Sequence, residues 1–202
     1  MPCASLPAGD KKLVQIVDAA LAEVVQRSGP WLVCRLGCTQ CCTGVFAINQ
    51  LDAARLQAGM AELLQTDPER AARVRQRVHE SAERLRSGFP GDFVTGLLGL
   101  DDEAVEAFNE FGNDEVCPVL DPETGACDLY AFRPMTCRVF GPPVRGDDGI
   151  GLCELCFVGA SDDEIAACEM MPDPEKLEDT VNAEAEDTSG LHGKTLVALA
   201  LR

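Results

Sequence analysis

Four cysteines crowd into the stretch WLVCRLGCTQCCTGVF, residues 31–46: Cys34, Cys38, Cys41 and Cys42. Adjacent residues on a trans peptide have Cα atoms about 3.8 Å apart, below the roughly 4.4–6.8 Å usual for a disulfide. A disulfide between Cys41 and Cys42 would therefore be strained, and we interpret them as separate thiols. A tetrahedral metal ion would explain the crowding, because it holds its sulfur ligands only about 3.8 Å apart.

A second group of cysteines follows downstream, with nine residues between Cys117 and Cys127 and nine more before Cys137. The first two flank the sequence DPETG, which has Pro and Gly where a turn needs them. A hairpin would bring Cys117 and Cys127 together at its open end. If one metal site used cysteines of both groups, it would hold the helices between them in one domain. Metal binding would then contribute directly to folding.

A third pair, Cys153 and Cys156 in GLCELCF, repeats the C-x2-C spacing of the first group. We interpret it as two further metal ligands, with a redox pair as the alternative. Cys3 and Cys168 have no partner spacing. They are predicted to be a loose terminal thiol and a buried small apolar side chain.

Composition restricts the classes of partner. The chain has 202 residues, 46% of them hydrophobic, and a net charge of −17. An acidic surface repels phosphate, so binding to nucleic acid or to an anionic membrane is not expected. The N-terminal sequence lacks the uninterrupted apolar core of a signal peptide, which predicts a cytoplasmic protein. In a reducing cytosol, clustered cysteines are more often metal or redox groups than disulfides, and eleven cysteines cannot all pair.

Helices are predicted to surround the cysteine segments. Residues 10–28 carry apolar side chains at helical spacing and end at the sequence SGP. A second helix is predicted to begin near Asn49 or Gln50, and a third to begin after a cap at Thr66 or Asp67.

The third helix is rich in arginine within an otherwise acidic chain. Its arginines are interpreted as a solvated face paired with Glu69, Glu80 and Glu83 at helical spacing. The alternative is a binding site for an acidic protein partner.

Shorter elements complete the prediction. Residues 89–100 are expected to form an irregular connection, residues 101–112 a short helix, and residues 116–130 a two-stranded hairpin. Ser161 and Glu164 have the spacing of a capping box at the start of another helix.

The fold class that follows is mainly α: a small helical domain with an irregular cysteine-rich metal-binding centre and a minor β-hairpin. Residues 1–30 are expected to form an N-terminal amphipathic helix. Residues 31–158 are expected to form the cysteine-cluster metal-binding domain, and residues 159–202 an acidic helical C-terminal tail.

Two stretches resemble a known family. CRLGCTQCCTGVFAINQLDAARL resembles the opening signature of the YkgJ-type cysteine-cluster family, a zinc- or iron-chelating domain named for its C-x2-C-x2-C-C pattern. CPVLDPETGACDLYAFRPMTCRVF is similar to its closing signature, which includes RPxxCR. The resemblance covers residues 34 to about 140, with one departure: three residues rather than two separate Cys34 from Cys38.

The resemblance implies a set of metal ligands: Cys34, Cys38, Cys41, Cys42, Cys117, Cys127 and Cys137. It also implies that Arg133 and Arg138 lie beside the centre, where a guanidinium would offset thiolate charge. The alternative for each arginine is a surface ion pair.

Thiolates alone suit both zinc and iron–sulfur clusters. Seven ligands exceed one four-ligand site, whereas nine, with Cys153 and Cys156, would suffice for two sites with one thiol left over. We favour an iron–sulfur cluster over structural zinc, because adjacent cysteines are easier to use around several irons than around one ion.

The sequence therefore predicts a cytoplasmic metal-binding protein that acts in metal handling or electron transfer. One alternative is an enzyme, since flagellin lysine methylases carry a similar cysteine motif. Another is a structural module that is stabilised by zinc and whose surface binds a protein partner.

Overall fold

A computed structural model describes residues 6–35, 37–146 and 149–202, so Cys3 lies outside the described residues. The predicted mainly α class is confirmed, with eight α-helices and two small sheets within the described residues. The helices are α1 (Asp10–Ser28), α2 (Gln50–Thr66), α3 (Pro68–Leu85), α4 (Asp102–Glu110), α5 (Met135–Val139), α6 (Asp162–Ala167), α7 (Leu177–Ser189) and α8 (Val197–Ala200). The strands are β1 (Gly91–Asp92), β2 (Leu97–Leu98), β3 (Val144–Gly146) and β4 (Gly149–Gly151). None of the described helices is both long and apolar enough to cross a bilayer.

Local capping sets where the long helices begin. The Asn49 side chain accepts a hydrogen bond from the backbone N–H of Asp52 at the start of α2. Asp67 does the same for Arg70 at the start of α3, where Pro68 occupies the first turn. These side chains satisfy N–H groups that have no partner inside the helix. The predicted starts of α2 and α3 are therefore confirmed.

The predicted position of the hairpin needs correction. Within residues 116–130 only an isolated antiparallel bridge forms, between Leu120 and Cys127. On the N-terminal side of Leu120, Pro118 has no N–H with which to extend the strand pairing. On its C-terminal side the turn begins immediately, because the N–H of Asp121 donates to the carbonyl of Ala126 at 2.8 Å. The antiparallel strand pairs lie elsewhere, as β1 with β2 and β3 with β4. The first of these pairs occupies the segment predicted to be an irregular connection.

Two apolar clusters form the main core, and α2 contributes to both. Leu51 packs in a cluster with α1, α5, α7 and the segment around Cys156. Leu56 packs in a second cluster with α3 and α8. Helix α2 therefore separates the two clusters and connects them, which fixes the elements that carry the cysteines relative to each other.

A buried ion-pair network joins three helices. Arg55 of α2 is 1% exposed and lies 2.5 Å from Asp10 of α1 and 2.6 Å from Asp52 of its own helix. Asp52 also accepts a hydrogen bond from the backbone N–H of Met135, the first residue of α5, at 3.0 Å. The Arg55 guanidinium thus joins α1 to α2, and the Asp52 carboxylate joins α2 to α5, while Nη2 of Arg55 has no partner in the described residues.

The arginines of α3 find their main partner outside the helix. Arg70 and Arg77 both bind Asp128, whose side chain is 2% exposed. Among the glutamates that were predicted to pair with these arginines, Glu83 forms an ion pair with Arg86 at 2.6 Å. Much of the arginine-rich surface thus serves to hold the segment that follows Cys127 against α3.

Candidate metal centre

Seven cysteines line one cavity of about 370 Å³. They come from residues 34–42, residues 117–127 and helix α5, so segments far apart in sequence meet around the same space. The seven are Cys34, Cys38, Cys41, Cys42, Cys117, Cys127 and Cys137. Apolar side chains from α1, α2 and α8 complete the wall, which places the cavity between the two core clusters.

A short backbone clasp joins the first two cysteine segments. Thr43 and Val116 form an antiparallel bridge. Beside it, the N–H of Cys117 donates to the carbonyl of Cys42 at 2.8 Å. The clasp places the vicinal cysteines directly opposite Cys117.

The segment from Cys117 to Cys127 presents its sulfurs against backbone donors. The N–H of Val119 donates to the thiol of Cys117, and the N–H of Leu129 donates to that of Cys127. Hydrogen bonds of this kind favour the thiolate, which is the form that binds a metal. The loop is thus shaped to supply two ligands.

Cys137 enters the cavity from α5, a helix of only five residues. Pro134 precedes this helix, and its carbonyl accepts a hydrogen bond from the N–H of Arg138 at 3.1 Å. The Asp52 carboxylate accepts a hydrogen bond from the N–H of Met135, the first residue of the same helix. Fixation at its start gives Cys137 a defined position despite the short length of α5.

The cavity disfavours charge on its own thiols. Burial raises the pKa of Cys117 to about 12. Burial, followed by the charges of Cys117, Cys41 and Cys127, raises the pKa of Cys137 well above its ordinary value. The Cys41 thiol donates a hydrogen bond to Cys42, and this bond, with burial, raises the pKa of Cys41 as well. These thiols are therefore protonated at neutral pH unless a cation stabilises the thiolates.

Both arginines predicted to lie beside the centre line the cavity. The Arg133 guanidinium stacks on the ring of Tyr130 at 4.0 Å from its centroid and donates to the Tyr130 carbonyl at 2.8 Å. Arg138 is buried, donates to Asp18 of α1 at 2.9 Å, and its Nε has no partner in the described residues. Burial lowers the pKa of Arg138.

The donor set fits a thiolate-bound metal, since the ionisable groups around the cavity are seven thiols, one tyrosine and three arginines. Across the described ranges, no three Cys, His, Asp or Glu side chains converge tightly enough to hold one ion.

Cys153 and Cys156 do not line the cavity. Both are buried in the apolar cluster that contains Leu51, together with Cys168. Cys156 nevertheless lies near Cys34, because the N–H of Cys34 donates to its sulfur. The structure thus brings seven of the nine predicted ligands around one cavity and places the other two in the apolar core.

Sequence patterns alone did not identify Asp52, Asp18 or Arg35 as part of the site. Asp18 binds Arg138 and Arg35 lines the cavity. Asp52 carried one usable signal, since it is an acidic residue within the buried face of an amphipathic helix. Charged residues are rarely fully buried unless they are paired.

Comparison with known proteins gives one family match. The model of the CxxCxxCC family, described as a zinc- or iron-chelating domain, matches residues 33–156, which is more than half of the chain. Neither the curated proteins nor the solved structures include a significant match. The match extends from the residue before Cys34 to Cys156, and so includes all nine predicted ligands. The chain belongs to the CxxCxxCC family of zinc- or iron-chelating domains and carries a metal-binding cysteine cluster.

Proposed function

We propose that the chain holds an iron–sulfur cluster in the cavity and acts in electron transfer or metal handling. The observation that carries the proposal is the cavity of about 370 Å³ lined by seven cysteines. A single zinc ion uses four ligands at one point, whereas several irons distribute their ligands around a volume. The volume of the cavity and the number of thiols that line it both support the cluster.

The inner ligands proposed are Cys41, Cys117, Cys127 and Cys137, which we call the first thiol group. The charges of Cys41 and Cys127 raise the pKa of Cys117, and those of Cys117, Cys41 and Cys127 raise the pKa of Cys137, so the four sulfurs lie close enough to interact. They lie on segments that are fixed by the Cys42–Cys117 clasp and by Asp52, which limits how far they can move.

Arg133 and Arg138 would act as positioning and charge-balancing residues. A cluster with four thiolates carries net negative charge, and hydrogen bonds or cations near its sulfurs raise its reduction potential. The positive charge of Arg133 lowers the pKa of Cys127 against the larger opposing effect of burial. Arg133 thus favours the thiolate form of one ligand.

The test is the anaerobic purification of the full chain followed by assays of iron, zinc and acid-labile sulfide, with a visible spectrum. The proposal predicts iron and sulfide in similar amounts and a broad visible absorption that bleaches on reduction. Zinc without sulfide would contradict the cluster and leave a zinc-chelating protein. Reversible bleaching with no loss of iron would favour electron transfer, and transfer of iron to an added apoprotein would favour metal handling.

A metal-pinned structural module is the second candidate. The ligand segments are separated by α2, α3 and α4, so metal binding would close a long loop and contribute to folding. Circular dichroism before and after chelation tests it. Loss of helical signal on chelation would support this role, and an unchanged spectrum would contradict it.

A further inference from the structure

We propose that Cys153 and Cys156 form a reversible dithiol–disulfide site that exchanges electrons with small disulfides. Both cysteines lie outside the lining of the cavity that is proposed to hold the cluster. The site is therefore an addition to the proposed function and does not depend on the metal. Its substrate class is a low-molecular-weight disulfide, R–S–S–R. Its products are the protein disulfide and two molecules of the thiol R–SH.

The two sulfurs meet as a pair. The thiols of Cys153 and Cys156 are within hydrogen-bonding distance of each other. Among the residues that the structure describes, no group of three Cys, His, Asp or Glu side chains converges to hold an ion. A structural metal site takes about four ligands, whereas an S–S bond needs only two sulfurs. The arrangement of this pair therefore suits an S–S bond better than a metal ion.

A tight turn brings the two residues to the distance that a disulfide spans. The N–H of Cys156 donates to the carbonyl of Cys153 at 2.9 Å. A hydrogen bond between residues i and i+3 closes a β-turn, in which the two Cα atoms lie less than about 7 Å apart. Disulfides join Cα atoms that are about 4.4–6.8 Å apart. The pair can therefore be oxidised with little movement of the backbone.

Contacts outside the turn hold it in this shape. On one side, the N–H of Cys153 donates to the carbonyl of Gly141 at 3.3 Å. On the other side, Phe157 has a φ of 58°, a left-handed conformation that a bulky residue rarely adopts. Its N–H donates to the carbonyl of Trp31 at 2.9 Å, and its side chain is buried. The core thus fixes the turn, so the two sulfurs stay adjacent.

The turn lies at the surface, although its two sulfurs are covered. Cys153 is 7% exposed and Cys156 is 3% exposed. The two residues between them, Glu154 and Leu155, are both exposed. A small disulfide reaches such sulfurs when the turn opens locally. A disulfide on another protein would have to displace the turn from its core contacts, so the shallow burial favours a small substrate.

The exchange balances in atoms, protons and electrons. One thiol of the pair loses its proton, and its sulfur attacks one sulfur of R–S–S–R, which forms a mixed disulfide and releases R–S⁻. The second thiol then loses its proton, and its sulfur attacks the protein sulfur of the mixed disulfide. This step closes the Cys153–Cys156 bond and releases the second R–S⁻. The two protons end on the two R–S⁻ groups, and two electrons pass from the cysteine pair to R–S–S–R.

The test is the equilibration of the anaerobically purified full chain in buffers with graded ratios of glutathione to glutathione disulfide. Free thiols are then alkylated, and trypsin releases residues 146–176 as one peptide that contains Cys153, Cys156 and Cys168. Mass spectrometry should find three alkyl groups on this peptide in excess glutathione. In excess glutathione disulfide it should find one, on Cys168, with an S–S bond between the other two. Return to excess glutathione should restore all three.

Iron and sulfide are measured in the same samples and should stay constant through the transition. Three alkyl groups at every ratio would overturn the proposal. So would a glutathione adduct on either cysteine that never proceeds to the S–S bond. Oxidation of the pair only as iron is lost would make the two cysteines metal ligands and also overturn it. If the pair exchanges but the chain contains no metal, it is the proposed function that fails.

Substitutions assign the bond to this pair. Cys153→Ser and Cys156→Ser should each abolish the S–S bond and leave a glutathione adduct on the remaining thiol. Cys168 lies in the same apolar cluster, so Cys168→Ala is the matched control and should keep the bond. Loss of the bond in the control would assign it to Cys168 and overturn the proposal. The wild-type titration needs no substitution, so it decides the question even where a serine prevents folding.

Discussion

The Asp52 carboxylate accepts a hydrogen bond from the backbone N–H of Met135 at 3.0 Å, two residues before Cys137. The same carboxylate lies 2.6 Å from the buried Arg55 guanidinium. One side chain of α2 therefore connects a charge in the protein core to the helix that carries a cavity cysteine. This connection makes the position of Cys137 depend on the protonation and shape of residue 52.

The first prediction concerns the proton of Asp52. Burial raises its pKa to about 6, above the ordinary value of 3.8, although Arg55 opposes the shift. A carbon-detected NMR titration should show this carboxyl changing near pH 6, with Asp52→Asn identifying its signal. Because the folded state holds the proton more tightly than the unfolded chain, the contribution of Asp52 to stability falls as pH rises from about 4 to about 6. Titration near pH 4 would contradict this account.

The second prediction is that metal loading releases protons. Since burial keeps thiols such as Cys117 and Cys137 protonated at neutral pH, each must lose its proton on binding. About one proton per cysteine ligand should appear. Calorimetry in buffers of different ionisation enthalpy measures this number. The apparent metal affinity should rise with pH, and a pH-independent affinity would contradict the prediction.

The third prediction concerns Asp128, the residue after Cys127. Its buried carboxylate binds both Arg70 and Arg77, which are themselves partly exposed. Asp128→Asn should lower the free energy of unfolding by about 1–3 kcal/mol, less than for a fully buried pair because water reaches the arginines. Urea unfolding measures the change.

Glu83→Gln is the matched control for Asp128→Asn. Glu83 is an exposed partner of Arg86 on the same helix, so its substitution should leave the unfolding midpoint nearly unchanged. Equal effects of the two substitutions would show that the Asp128 pair has no special role.

The fourth prediction uses a substitution whose two effects have opposite signs. Gly59 lies in α2, and a Cβ atom there would come within 2.7 Å of the Phe132 ring. Helix propensity alone would make Gly59→Ala stabilising by about 1 kcal/mol. Overpacking against Phe132 costs about 1–3 kcal/mol, so we expect a net loss of stability. A rise in the thermal midpoint would contradict this contact.

Local signals made most of the helices predictable from the sequence. Asn49, Asp67 and the Ser161–Glu164 capping box mark helix starts through contacts within three or four residues. Contacts between segments distant in sequence could not be predicted from such local signals. The pairing of Thr43 with Val116 joins segments 73 positions apart and has no periodic pattern, so the clasp between the cysteine groups could not be foreseen.

The sequence identified the cysteines that line the cavity as candidate ligands, but it did not indicate that Cys153 and Cys156 lie outside that lining. The crowding of Cys41 and Cys42 already indicated a metal, because neither a disulfide nor an apolar core explains it. The position of Cys153 in the core depends on a hydrogen bond from its N–H to the carbonyl of Gly141 and on a buried apolar cluster. Such packing is a property of the tertiary structure and leaves no spacing rule in the sequence.

The central claim is that the cavity cysteines hold the metal. The measurement that tests it most directly is the iron and sulfide content of anaerobically purified Cys117→Ser/Cys137→Ser, compared with wild type and with Cys168→Ala. Cys168 is buried outside the cavity and serves as the control. We predict that the paired variant loses the cluster, whereas Cys168→Ala and wild type retain equal amounts. Full iron and sulfide in the paired variant would contradict the claim.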